Sequence, residues 1–231
     1  MPLRYSLFTP TTQLKERFDV ETTNAYQPHY NISPTQLVPV ISNASPHGFS
    51  YFYWGITPKW SKNKSISTKW IQIEAEQIRE KQTLKNALVS RRCLVPADGY
   101  YEWKSVGKKG KVPYRVLLKS EEPFTFAGIW EEYEEDGQFI HTFKIITIDA
   151  IGSLQEINSR MPVILPPNYE RNWLNDTESL EMLLDLLKPY QSEAMSYYTI
   201  SPLVNSIKQD SPQIIQPSQA VDQFGNYTLF N

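Results

Sequence analysis

The chain has 231 residues, of which 40% are hydrophobic and 13% aromatic, and its formal net charge is −2 at pH 7. This composition excludes a disordered chain, and the near-neutral charge gives no support to nucleic-acid binding through a basic surface as a whole. The single cysteine, Cys93, excludes an internal disulfide, and no apolar run approaches the roughly 20 residues of a membrane span. The first residues, MPLRYSLF, lack the charged-then-apolar order of a signal peptide. We therefore expect a monomeric protein in the cytoplasm, with one domain over residues 1–231.

Apolar periodicity and turn formers predict an α+β fold made mainly of antiparallel strands. Residues 74–90 predict helix in two pieces, and Asp136-Gly137 between two alternating runs predicts a hairpin. Residues 104–112, with four lysines, predict a flexible basic loop or, alternatively, a phosphate contact. The other predicted elements, in chain order, are a strand at 4–8, a helix capped by Thr11 or Thr12 and ending near Asp19, extended chain at 26–40, strands at 49–54, 114–118, 124–133 and 138–148, a helix from Asn175 with Glu178 as capping box and Lys188 at its end, and a turn-rich tail from Tyr198.

The stretch RRCLVPADGYYEW, residues 91–103, is a short apolar strand that passes through a Pro-Ala-Asp-Gly turn and ends on Glu102. Tyr101 and Trp103 flank this acid, so its carboxylate is either in a desolvated site or at an ordinary solvated strand edge. Cys93, inside the apolar strand, is expected to be a small buried hydrophobe. The local pattern leaves both interpretations of Glu102 open.

The three histidines do not have the spacing of metal ligands. They are isolated from one another, at His29, His47 and His141. We therefore predict no metal and no cofactor.

Six ordered motifs resemble the SOS response-associated peptidase (SRAP) family, and the resemblance runs from residue 1 to about 216. The motifs are YNISPTQLVPV at 30–40, YWGITPKW at 53–60, RRCLVPADGYYEW at 91–103, FAGIWE at 126–131, SRMPVIL at 159–165 and SPLVNSIKQD at 201–210. The resemblance implies an SRAP-like fold with an open, barrel-like arrangement of antiparallel sheets and peripheral helices. The tail at about 217–231 diverges from the family.

The resemblance also implies a reaction with abasic sites in single-stranded DNA during the DNA-damage response. Family members attack the open-chain sugar aldehyde with an N-terminal cysteine, whose amine gives an imine that its thiol closes to a thiazolidine. A glutamate moves protons, a histidine assists ring opening, and an asparagine positions the sugar. Glu102 matches the family glutamate.

Several other family positions are replaced in this sequence. Pro2 stands in place of the cysteine, Gln72 in place of the asparagine, and Asn158 in place of the histidine. Glu74 replaces an arginine that contacts DNA, which reverses the local charge and is expected to weaken DNA binding. Because the thiol is absent, thiazolidine formation does not carry over to this chain.

Other matching positions keep residues that suit DNA. Arg4 and Arg160 match basic positions of the family, although Arg4 could be a solvated strand residue and Arg160 could pair with Asp98 or Glu102. Trp60 is a candidate base-stacking residue. Trp54 is another candidate, with a place in the core as its alternative.

Three hypotheses of function follow. The first is a non-covalent or catalytically impaired binder of single-stranded or abasic DNA. The second is a lyase in which Pro2, with Met1 removed, forms an iminium ion with the sugar aldehyde and Glu102 moves the proton that leads to elimination. The third is a protein that keeps the fold but binds a partner or ligand other than DNA.

Overall fold

The computed structural model describes residues 4–21, 25–56 and 68–227. The strands are β1 (Arg4–Leu7), β2 (His29–Ile32), β3 (Leu37–Ser42), β4 (Ser45–Trp54), β5 (Gln72–Glu74), β6 (Arg92–Ala97), β7 (Gly99–Val106), β8 (Gly110–Leu118), β9 (Phe124–Glu135), β10 (Gln138–Asp149), β11 (Arg160–Pro162), β12 (Ile164–Leu165) and β13 (Met195–Thr199). The α-helices are α1 (Thr11–Phe18), α2 (Thr68–Ile71), α3 (Ala75–Glu80), α4 (Gln82–Ser90), α5 (Glu170–Leu174) and α6 (Leu180–Asp185). Five short 3₁₀ turns follow β10, β12, α6, β13 and Asp210.

Two sheets make up the fold. The first has five antiparallel strands in the order β13-β8-β7-β1-β2. In the second sheet β10 pairs with both β4 and β9, so that β3, β4, β6, β9 and β10 form a closed ring. The α+β class with a barrel-like sheet is therefore confirmed.

The stretch at 91–103 connects the two sheets. β6 lies in the barrel between β3 and β9, whereas β7 lies in the five-stranded sheet between β1 and β8. Asp98 is the residue at the crossing, and its backbone N–H donates to the carbonyl of Ser6. One apolar core continues across this crossing, because Tyr100 on β7 packs in the same buried cluster as Phe126 on β9.

Helices α1, α3, α4 and α6 lie within the predicted helical runs, but two predicted caps are wrong. α1 starts at Thr11 with Pro10 at the cap position, and no side chain caps it. α6 starts at Leu180 with Ser179 as its cap and ends at Asp185, so the predicted start at Asn175 and end at Lys188 are also wrong. Asn175 instead ends α5, a helix that the sequence pattern did not predict. The division of 74–90 into two helices, α3 and α4, is confirmed.

The lysine-rich segment is not a loop. Residues 104–106 and 110–112 belong to β7 and β8, and they pair up to Val106 and Gly110 around a tight turn. The Asp136-Gly137 hairpin is confirmed, and both residues have positive φ, of 53° and 76°, as a type I′ turn requires. The tail packs on the body as expected, with an additional strand, β13, that pairs with β8.

Candidate functional site

Glu102 lies on the buried side of β7 and is only 3% exposed. Side chains alternate along a strand, so Tyr100 and Glu102 face the interior while Tyr101 and Trp103 face the opposite side of the sheet. Tyr101 accordingly packs in a separate small apolar cluster with Ile200 and Val204. The desolvated interpretation of Glu102 is therefore the correct one.

Asn158 contacts this acid from another segment of the chain. Its side-chain amide donates to Glu102 Oε2 over 2.7 Å. The backbone N–H of Arg160 donates to Asn158 Oδ1 over 3.3 Å, which orients the amide so that its nitrogen points to the carboxylate. The structure thus brings together two of the three predicted catalytic residues.

Burial raises the pKa of Glu102 to about 7, and the hydrogen bond from Asn158 acts in the opposite direction. A buried carboxylate loses the solvation of its charge, which favours the protonated form. At neutral pH both protonation states of this group are populated. Such a carboxyl group can take up and release a proton during a reaction near pH 7.

Arg160 is bound to acidic side chains of the protein itself. Its guanidinium donates to Asp149 over 2.8 Å and to Glu76 over 2.9 Å, and also to the backbone carbonyl of Thr147. The alternative pairing with Asp98 or Glu102 is wrong. In this conformation the two carboxylates neutralise the positive charge that was predicted to meet DNA.

Arg4 is also engaged within the protein, so the interpretation as a solvated residue is wrong. Its guanidinium donates to the carbonyls of Val204 over 2.6 Å and Asn205 over 2.8 Å, and to Asn31 Oδ1 over 3.3 Å. These bonds attach β1 to the segment that follows β13. A DNA contact from Arg4 remains a prediction.

Gln72 and Glu74 lie at the two ends of β5, which pairs with β10 at the rim of the barrel. Gln72 is buried at 7% exposure, and Glu74 is half-buried and accepts a hydrogen bond from Gln77 over 2.9 Å. The acid at the former arginine position is therefore part of the rim, and its effect on DNA binding remains a prediction.

Trp54 belongs to the core. It is fully buried, and its indole N–H donates to the carbonyl of Ile71 over 2.8 Å, so it is not available for base stacking. Cys93 is fully buried as expected, and burial raises the pKa of its thiol. Pro2 and Trp60 lie outside the described residues.

Among residues 4–21, 25–56 and 68–227, no group of three or more His, Cys, Asp or Glu side chains could hold a metal ion. His29 and His141 instead pair with Asp210 and Glu132, over 2.7 and 2.6 Å. No helix in the described ranges is long and apolar enough to cross a membrane.

A family model described as SOS response associated peptidase (SRAP) matches residues 1–207. The chain belongs to the SRAP family. It is 37% identical over 219 residues to the abasic site processing protein YoqW of Bacillus subtilis, a match that covers 92% of this chain and 98% of YoqW. It is 29% identical over 227 residues to the abasic site processing protein HMCES of Gallus gallus, covering 83% of this chain and 67% of HMCES. A crystal structure of a protein from Bacteroides thetaiotaomicron has a TM-score of 0.80 and 28% identity, and the match covers 94% of this chain and 99% of that one.

The sequence of this SRAP protein did not predict which side chains contact Arg160 and Glu102. Glu76 and Asp149 were not recognised as partners of Arg160, although an acid two residues after the replaced arginine was a usable signal. The contact between Glu102 and Asn158 was not predicted either. Family position indicates each of the two residues separately, and they lie 56 positions apart in the sequence.

Proposed function

We propose that this SRAP protein recognises abasic sites in single-stranded DNA without forming a thiazolidine. The observation that carries the proposal is the pair of Glu102 and Asn158, a buried acid with a pKa of about 7 held by an oriented amide. The similarity to YoqW and HMCES, both abasic site processing proteins, supports the choice of ligand.

The absence of a suitable thiol argues against a thiazolidine. Residue 2 is proline, and the single cysteine of the chain is buried in β6. Thiazolidine closure needs an amine and a thiol on adjacent carbon atoms, and a buried thiol on a strand cannot supply them. Recognition would therefore depend on the shape and polarity of the cleft around Glu102.

The role proposed for Glu102 is proton exchange with the sugar. A carboxyl group near its pKa can protonate the ring oxygen of the abasic sugar as the ring opens and accept the proton of the C1′ hydroxyl. Asn158 holds the carboxylate in position, and it has no titratable proton of its own. Replacement of the family histidine by Asn158 would thus leave Glu102 as the proton carrier.

A lyase is the second candidate, and the pKa of Glu102 is the observation that favours it. With Met1 removed, the secondary amine of Pro2 would add to the C1′ aldehyde and lose water to give an iminium ion. A base would then take a C2′ proton, and the electron pair would expel the 3′ phosphate. A carboxylate that titrates near pH 7 is suited to that proton transfer.

Three oligonucleotides of one sequence distinguish these candidates. One carries an abasic aldehyde, one a tetrahydrofuran analogue without the aldehyde, and one is intact. The proposal predicts that the first two bind alike and at least about tenfold more tightly than the intact strand, with no adduct that survives denaturation. Cleavage of the aldehyde strand, with a borohydride-trapped adduct, would favour the lyase, and equal affinity for all three strands without cleavage would contradict both candidates.

Variants assign the effect to the site. Glu102→Gln keeps the shape of the side chain and removes its titration. It is therefore expected to abolish any strand cleavage and to slow the exchange between the cyclic and open-chain aldehyde forms of the abasic sugar, called aldehyde exchange below. Glu134→Gln removes one negative charge from the exposed surface of β9 and serves as the matched control. A loss in both variants would indicate a general charge effect.

A further inference from the structure

The turn between β7 and β8 and the C-terminal segment 221–227 together form a surface that the candidate site does not use. We call it the hairpin patch, and it consists of residues 104–112 and 221–227. We propose that the hairpin patch binds single-stranded DNA next to the site of Glu102. This inference deepens the proposed function and depends on it for the identity of the ligand.

The first observation is unpaired positive charge. The patch carries four lysines, at 104, 108, 109 and 111, and one acid, Asp222. Within the described ranges none of the four lysines forms an ion pair with a carboxylate. In contrast, Arg160 is paired with two carboxylates. The hairpin patch is therefore a local concentration of cations on a chain whose net charge is −2.

The only acid of the patch is turned toward the protein. Asp222 is buried at 6% exposure, and its carboxylate accepts hydrogen bonds from the backbone N–H groups of Phe224 and Asn226 and from the Asn226 side chain. These bonds form a tight turn at 222–226. The carboxylate thus organises the turn.

The second observation is a pair of exposed aromatic rings on this turn. Phe224 is 66% exposed and Tyr227 is 71% exposed. The turn is attached to the lysine hairpin by Gln223, whose side chain accepts from the backbone N–H of Lys111 over 2.6 Å and donates to the carbonyl of Lys109 over 2.8 Å. Two rings are therefore held beside exposed lysines by specific hydrogen bonds.

Lysines interleaved with exposed aromatic rings suit an unpaired nucleic-acid strand. The ammonium groups meet phosphates, and the ring faces stack on bases that are not already stacked in a duplex. A protein partner would be expected to bury a larger contiguous apolar area than two separate rings. The chemistry therefore favours single-stranded DNA over a protein.

The strand β7 connects the hairpin patch to the candidate site. Glu102 and Lys104 lie on the same side of β7, two residues and so about 7 Å apart along the strand. Lys104 therefore lies between the candidate site and the lysines of the turn along one strand. The family model matches residues 1–207, so the aromatic half of the patch lies outside the matched residues.

The test is binding of a fluorescent 15-nucleotide oligothymidine without an abasic site. We expect the double variant Phe224→Ala/Tyr227→Ala to weaken binding about tenfold or more, since each stacked base is worth roughly 5- to 150-fold. Phe139→Ala is the matched control, because Phe139 is also 66% exposed on a hairpin of the barrel, and it should bind as the wild type does.

The charge contribution is tested separately. Lys108→Gln/Lys109→Gln should reduce the slope of log affinity against log salt by about 1.4, from about 0.7 for each phosphate contact with a single strand. Lys81→Gln/Lys119→Gln removes two exposed lysines elsewhere and should leave the slope unchanged. Equal changes in the two lysine pairs would overturn the proposal.

The two proposals fail in different ways. If abasic recognition fails, the abasic and intact strands bind the wild type equally, while the hairpin variants still weaken oligothymidine binding. If the hairpin patch fails, its variants bind oligothymidine as the wild type does, and the abasic preference is unaffected. A matching loss on a 15-base-pair duplex would also overturn the stacking proposal, because paired bases do not offer their faces.

Discussion

Asp98 and Glu102 are buried carboxylates four residues apart in one motif, and burial raises the pKa of both. Asp98 accepts hydrogen bonds from the backbone N–H groups of Phe8 and Thr9 and from the Thr9 hydroxyl. Glu102 accepts a hydrogen bond from the side chain of Asn158, which lies between β10 and β11. The comparison shows that two buried acids of one motif can differ in their partners, since Asp98 is bound by two backbone N–H groups and a hydroxyl of the β1–α1 connection and Glu102 by a side-chain amide.

Asp98→Ala should have the largest effect. It removes the acceptor of three donors at the point where the chain crosses between the sheets, and each buried donor left without a partner costs about 1 to 3 kcal/mol. We expect the free energy of unfolding to fall by about 3 to 5 kcal/mol, measured by urea denaturation. A loss below about 1 kcal/mol would show that the two acids do not differ as described.

Glu102→Gln should change stability in the opposite direction, and only at higher pH. The pKa of Glu102 is about 7 in the folded protein and 4.5 ordinarily, so its protonation stabilises the fold below pH 4.5 and that stabilisation is lost as the pH rises to 7. Glutamine does not titrate. The variant should therefore match the wild type at pH 4 and exceed its stability by up to about 3 kcal/mol at pH 8. Denaturation at several pH values measures this difference, and a difference that does not change with pH would refute the raised pKa.

Asn158→Leu should have a smaller effect, on the titration of Glu102. The amide of Asn158 donates to the charged carboxylate, so its removal should raise the pKa of Glu102 further. The measurement is the carboxyl chemical shift of Glu102 by NMR as the pH varies. Asn172→Leu is a control, because Asn172 donates to Glu178, away from Glu102. An unchanged midpoint in Asn158→Leu would remove Asn158 from the site.

Arg160→Gln should have the smallest effect on stability. Its partners Glu76 and Asp149 are substantially exposed, which limits the loss to about 1 kcal/mol at pH 7. Burial raises the pKa of Glu76, but the hydrogen bond and charge of Arg160 outweigh it and lower that pKa overall. The stabilisation is therefore present above pH 4.5 and is lost as the pH falls. If the variant is as stable as the wild type at pH 7 and also binds DNA normally, Arg160 has neither role.

Local sequence rules predicted much of the fold but few of the side-chain contacts in the candidate site. Asp136-Gly137 predicted its hairpin because the turn chemistry lies within two residues, and Leu84 and Leu88 predicted the second piece of the helical segment. The lysines and glycines at 104–112 are typical of a loop. The strand structure there depends on pairing between β7 and β8, which the local sequence does not indicate. The pairing of Arg160 with Glu76 joins residues 84 positions apart, which no local pattern can contain.

The family resemblance singled out Glu102 as a candidate catalytic acid, and the structure shows that its carboxylate is buried. The local sequence pattern alone favoured a solvated strand edge for this acid. The alternation of Tyr100, Tyr101 and Glu102 on a strand between β1 and β8 decides the matter, because it turns the acid toward the interior. The contact of Asn158 with Glu102 is an observation that family position alone did not provide.

The most direct test of the account compares Glu102→Gln with Asp98→Asn at equal folded fraction. The quantity is the ratio of affinities for the abasic-aldehyde and intact oligonucleotides at one salt concentration, together with the rate of aldehyde exchange. The account predicts that Asp98→Asn is less stable but keeps the wild-type ratio and rate, whereas Glu102→Gln folds normally and loses the exchange. Wild-type exchange in Glu102→Gln, or an equal loss in both variants, would contradict the assignment of Glu102 as the functional acid.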